Sequence, residues 1–306
     1  MRTMSLTSML KTKRVREIFN QNFYNPVKRH GHKIIVPLNR ETRLNYGGIG
    51  MAYDYWVRCS IIKNEKKRID EIMSFIGIEY CRNYYGDNQV VQQKTTDYID
   101  IIFNWILEKQ INSDKIYDAC LFFALFETEF RCGYPVESFE ISEHDRHELE
   151  RIVFNTDLTW AQGKNIILNP TFGISGKEMG ISADGDLIVD DVLYDLKTSS
   201  IVKLKENWRQ LLGYYILNQI ANKPYHFTKI GVYYPRFKCL IVKEISEFLT
   251  IEGKKNLKNF FLNELGSIKV VDRTNGQKLI QSKIKSIFDS FIQNVKFKIR
   301  PHHFTE

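Results

Sequence analysis

The chain has 306 residues, of which 43% are hydrophobic and 26% charged, and it carries a net charge of +8. That is the composition of an ordinary soluble globular protein, long enough for one large domain or two modest ones with an ample core. The longest apolar run, ACLFFALF at 119–126, is far too short to span a bilayer. The opening MRTMSLTSMLKTKR lacks a signal-peptide apolar core, so a cytoplasmic protein is expected. The cysteines (Cys59, Cys81, Cys120, Cys132, Cys239) are scattered without a CxxC pair, which argues against a zinc or iron–sulfur framework and for buried free thiols.

In chain order, residues 1–45 are basic, with ten Lys/Arg against Glu17 and Glu41 up to position 43, and little periodicity. An arm with irregular segments is predicted, its charge and its aromatics Phe19, Phe23 and Tyr24 suiting a polyanion. YGGIGMAYDYWVRCSII reads as a glycine-rich turn entering a helix within 46–64. Residues 65–160 carry apolar residues at three- and four-residue spacing and predict a helical subdomain. Within it, Glu127, Glu129 and Arg131 are read as helix ion-pair partners. His144 and His147, like His302 and His303, are read as surface residues. Over 161–250 the pattern becomes strand, strand, strand, helix, strand. The strands include Asp186–Val189 and Val192–Lys197, and the helix runs from about Leu204 to Gln219. Residues 251–306 look helical and basic again. An α/β or α+β fold follows.

One stretch demands a chemical reason. DGDLIVDDVLYDLKT, 184–198, sets five aspartates in a strand-like run, although aspartate is among the poorest strand formers. Asp190 and Asp191 suit a hairpin turn. With the turn there, paired residue numbers sum to 381, which puts Asp186 opposite Asp195 and Asp184 opposite Lys197. Alternation then places these four groups on one face and Leu187, Val189, Val192, Tyr194 and Leu196 on the other. Two facing carboxylates repel unless a cation joins them. Asp186 and Asp195 offer the hard oxygen ligands that Mg2+ prefers, and a neighbouring Lys197 completes what phosphodiester hydrolysis needs. An EF-hand loop is excluded, because Ile188 and Val189 stand where a polar ligand and a glycine are required. A solvent-facing polar hairpin with no site is the plain alternative. On the following helix, Gln210 and Tyr214 are four apart and share a face. Gly213 between them costs about 1 kcal/mol and signals a close approach.

Asp186, Asp195-Leu196-Lys197 and Gln210-Leu211-Leu212-Gly213-Tyr214 together resemble the PD-(D/E)XK nuclease superfamily. Within it the chain is similar to the RecB-like branch, on NPTFG, ADGDLIVDD, DLKT and QLLGYY. The resemblance spans about 160–235. It implies a restriction-endonuclease-like αβββαβ core, here with a large helical insertion and a helical C-terminal segment. It also implies a Mg2+- or Mn2+-dependent deoxyribonuclease with Asp186 and Asp195 as metal ligands and Lys197, Gln210 and Tyr214 at the catalytic site. Many relatives add Gly-x-x-x-His on the first helix. Here Gly50-Met51-Ala52-Tyr53-Asp54 stands in that place, making Asp54 a third candidate ligand or, equally, a helix N-terminal surface acid. The expected partner is nucleic acid, DNA before RNA, with no membrane. The alternatives are a catalytically silent nucleic-acid-binding subunit of a repair or defence complex, and a protein-interaction scaffold worked by the helical subdomain, which could also mediate self-association.

Overall fold

The computed structural model describes residues 2–266 apart from 27–30, 32, 43, 45, 109–111, 134, 164, 177–178 and 222–223. The expected C-terminal helix therefore appears in part, and the basic stretch beyond it, with His302 and His303, lies outside the described residues.

The N-terminal segment differs from the irregular arm expected. It forms a strand β1 (Arg2–Ser5), a short helix α1 (Leu6–Met9) and a helix α2 (Lys13–Asn22). Thr12 caps α2 by accepting the Val15 N–H, and Leu6, Met9, Val15 and Phe19 are buried. The long helix α3 (Tyr46–Asn64) then begins before GGIG, so these glycines lie inside the helix rather than in a turn. The reason is packing. A Cβ at Gly50 would stand 3.0 Å from the Thr198 hydroxyl, so glycine lets α3 approach the loop that follows Val192–Leu196 in the core.

Between 65 and 160 the chain is mainly helical: α4 (Ile76–Tyr84), α5 (Gln89–Ile106), α6 (Ser113–Cys132) and α7 (Glu143–Phe154). Asn88 and Asn112 cap α5 and α6, and Gly133 ends α6 in the left-handed conformation at φ 73°. Cys59, Cys81, Cys120 and Cys239 are buried free thiols, whereas Cys132 is exposed at the end of α6.

The chain then lays down β2 (Ile166–Leu168), β3 (Ile174–Ser175), β4 (Met179–Ser182), β5 (Leu187–Val189) and β6 (Val192–Leu196). Helix α8 (Leu204–Ile220) leads to β7 (Lys229–Tyr234), β8 (Cys239–Glu244) and α9 (Ile251–Leu265). The main sheet has the order β2-β5-β6-β7-β8, antiparallel except for β6 and β7, which run parallel and are joined through α8. A smaller sheet, β1-β4-β3, carries the N-terminal strand parallel to β4.

Alternation along the hairpin splits the core in two. Leu187, Val189, Val192 and Tyr194 pack with α3 and the helical subdomain. Ile188, Leu193 and Val232 pack on the other face with α8, α9 and the N-terminal helices. Helix α8 is buried nearly all round, as expected of a helix enclosed by protein on every side. The close approach signalled by Gly213 is made by Leu6, whose Cδ2 would lie 3.0 Å from an added Cβ. Among the described residues no helix is long and apolar enough to cross a membrane.

Candidate metal and phosphate site

The acidic hairpin takes the register read from the sequence: Leu187 pairs with Tyr194, Ile188 with Leu193 and Val189 with Val192. Asp190 turns the chain at φ 51°, a left-handed conformation that aspartate tolerates. Its Oδ1 accepts the Asn165 N–H at 3.0 Å. Asp191 accepts from the Thr228 hydroxyl and from Lys229, at 2.9 and 3.1 Å. Both are therefore turn residues held to neighbouring strands.

Beyond Leu187 the ladder gives way to side-chain bonding. Asp186 Oδ2 accepts the Leu196 N–H at 2.6 Å, which holds its carboxylate against β6. Asp184 departs from its expected position opposite Lys197. It bridges to Thr171 instead, and the Lys197 N–H goes to the Tyr233 carbonyl of β7. The parallel β7 satisfies the end of β6, so the hairpin partner is not needed there.

Asp195, Lys197, Gln210 and Tyr214 come together on the α8 face of the sheet. Lys197 Nζ donates to Asp195 Oδ1 at 2.8 Å and to Gln210 Oε1 at 3.3 Å, and Gln210 Nε2 donates to the Tyr214 hydroxyl at 2.8 Å. Asp195 is 2% exposed, and its second oxygen, Oδ2, is buried with no hydrogen-bond donor. Burial pushes its carboxyl up to about 7, and the adjacent Asp186 adds to the rise while Lys197 opposes it. Burial works against the Lys197 ammonium, but Asp195 and Asp186 outweigh it and hold the group above its usual range. Burial, reinforced by Asp195, also raises the Tyr214 phenol, so it stays neutral. The ring stacks on Phe172, with centroids 5.2 Å apart.

Asp54 belongs to a different cluster. It forms an ion pair with Arg58 one turn along α3, and its Oδ1 is buried without a donor. Arg58 lies over the rings of Tyr55 and Phe75, and Tyr55 donates to the buried Glu127. Glu127 in turn pairs with Arg131 at 2.6 Å, the helix ion pair expected. Glu129 instead accepts from Tyr80 and Tyr85. Among the described residues no three His, Cys, Asp or Glu side chains gather as ligands for one ion. Asp186 and Asp195 are adjacent, while Asp54 is held by Arg58 through one carboxylate oxygen. The two clusters still feel each other: Asp186 acts on Arg58, and Arg131 opposes the burial-driven rise of the Asp184 carboxyl.

Sequence reasoning missed Arg236. It is 1% exposed and forms an ion pair with the buried Glu148 of α7. Its Nε donates to the Thr198 carbonyl, one residue after Lys197, and its Nη1 donates to the carbonyls of Val36 and Pro37 at 3.3 and 3.4 Å. A lone arginine after Pro235 carries no periodic signal; a charge inside the apolar β7–β8 stretch was the only hint. In comparisons with known proteins, no family model, curated protein or solved structure matches the chain.

Proposed function

We propose that this protein is a metal-dependent nuclease that hydrolyses DNA phosphodiester bonds, with a RecB-like PD-(D/E)XK core. Within the main sheet the succession α3, β2, β5, β6, α8, β7 supports that reading, since it follows the αβββαβ order once β3 and β4 of the smaller sheet, between β2 and β5, and the helices after α3 are counted as insertions. The observation that carries it is the buried Asp195 carboxyl facing the Asp186 carboxyl, its Oδ2 without an N–H donor and an ammonium group 2.8 Å from Oδ1. A purely structural position would exchange these buried charges for apolar side chains at little cost or with a gain in stability. A divalent cation gives the bare oxygen a partner, and Asp186 and Asp195 are the residues that would hold it. Mg2+ or Mn2+, when bound, would polarise the phosphate and lower the pKa of an attacking water.

The remaining roles belong to the protein's own groups. Lys197, held by Asp195 and Gln210, would present its ammonium group to water or to charge developing on phosphate oxygen. Gln210 and Tyr214 act through Lys197 and orient it. The test is cleavage of linear and circular DNA with Mg2+ or Mn2+, against EDTA, Asp195→Asn and Lys197→Ala. Loss of cleavage in both variants is expected, and full activity in either would sink the assignment. The Asp54–Arg58 ion pair, with no three-carboxylate group among the described residues, favours a second reading, a nucleic-acid binder without cleavage. Tight DNA binding with no cleavage under any divalent cation would select it.

A further inference from the structure

The helical segment and the N-terminal segment together line a cleft of about 1190 Å³, which also includes Asp184. Ser5, Thr7, Ser8 and Lys11 come from the N-terminal segment, and Glu79 with two aromatics from α4. Tyr80 and Tyr84, four apart and so on one face of α4, stack with ring centroids 4.9 Å apart and planes 10° from parallel. Phe130 of α6 meets Tyr80 edge-on at 5.6 Å. Tyr84 and Phe130 nevertheless remain 68% and 57% exposed. Tyr84 also lines a second cavity of about 530 Å³ with Asn88.

Exposed, pre-stacked rings beside a row of hydroxyls and a lysine are what unpaired bases and their phosphates require. We infer that this cleft binds single-stranded DNA, with bases stacked on Tyr84 and Phe130 and the backbone along Ser5, Ser8 and Lys11. Duplex bases are already stacked and paired, so they cannot use these rings. Lys13 and Arg16, also exposed, follow Lys11 on α2, Lys13 beside Glu17. Arg131, exposed at the end of α6, and Asp184, two residues before Asp186, also line the cleft. A strand bound there would run toward the acidic hairpin. The inference rests on the nuclease reading for its destination, whereas binding itself needs no metal.

The experiment is fluorescence anisotropy of the full chain with labelled oligo-dT, a duplex of equal length and oligo-U, all in EDTA. Tyr84→Ala and Phe130→Ala should each weaken oligo-dT binding roughly 5- to 100-fold, the range for loss of one base stack. Tyr84→Phe should keep wild-type affinity, and duplex binding should not respond to any of the variants. Unchanged oligo-dT affinity in the double alanine variant, equal loss for duplex, tighter binding of oligo-U, or no oligo-dT binding would each overturn the inference. Because EDTA removes cleavage, the two readings fail separately. Aromatic-dependent binding by a protein that never cuts DNA would uphold the cleft and sink the nuclease. Cleavage that persists with an affinity indifferent to Tyr84 and Phe130 would do the reverse.

Discussion

A carboxylate buried against a second carboxylate is costly, and at Asp195 the cost depends on pH. Burial raises its carboxyl from 3.8 to about 7. Between those values the folded chain keeps a proton that the unfolded chain has released, so this group's contribution to stability falls as pH rises through the window. Urea unfolding across that range should therefore show declining stability, and Asp195→Asn should flatten the decline. An unchanged slope in the variant would place the effect elsewhere. Lys197 is the opposite case. Its raised folded value, set by the Asp195 and Asp186 carboxylates, makes its contribution lost as pH rises beyond 10.5 and full below that while Asp195 is charged. Lys197→Ala should cost roughly 3 kcal/mol at about pH 8, because Asp195, no longer held down by Lys197, must either take up a proton or stay charged and unpaired. It should cost less at about pH 5, where Asp195 holds a proton. A divalent cation should raise Tm more at the higher pH, since it competes with that proton for the same oxygens.

Elements meet here through glycines and caps as much as through apolar faces. Helix α4 crosses α6 so closely at Gly77 that an added Cβ would lie 2.1 Å from the Phe123 carbonyl oxygen. The Gly77 N–H also donates to the Tyr55 hydroxyl at 2.9 Å. Gly77→Ala must push the helices apart, since backbone cannot rotate away, and should cost about 1–3 kcal/mol by overpacking. Because α4 carries Tyr80 and Tyr84, the same variant should weaken oligo-dT binding, which separates helix placement from ring chemistry when compared with Tyr84→Ala. Gly213→Ala should be mild by contrast. Its neighbour is the tip of Leu6, a flexible side chain that can yield, against a helix-propensity gain of up to about 1 kcal/mol. The hairpin, α8 and its Gln210–Tyr214 pair were legible because period-two and period-four patterns are local. Gly77, Gly50 and Arg236 were not, since each is explained by an atom far away in sequence. Asp184 was misread for a related reason: the parallel β7, supplied after α8, takes the backbone bond that hairpin extrapolation gave to the partner strand.

The position of the N-terminus shows how the molecule closes as a whole. A basic stretch without periodicity reads as an arm, yet β1 pairs with β4, some 175 residues later, through the register Arg2↔Met179 to Ser5↔Ser182. Leu6 fills the space over Gly213, and Phe19 meets Phe261 edge-on at 6.3 Å. The segment therefore covers α8, the helix that holds Gln210 and Tyr214, and supplies the hydroxyl wall of the cleft. Its burial of Leu6, Met9, Val15 and Phe19 contributes about 2 kcal/mol per side chain, or some 8 kcal/mol together. That is of the order of the whole stability of a typical domain. Removing residues 2–22 should accordingly abolish cooperative unfolding by circular dichroism and calorimetry, or leave the protein aggregated, while replacing exposed Lys11, Lys13 and Arg16 with glutamine should preserve the fold. The charge variant should lose affinity for oligo-dT and show a shallower dependence of log K on log salt, because fewer counterions are released. If the truncated chain melts like the full one, the N-terminal segment is an arm after all, and α8 must be held by the sheet alone.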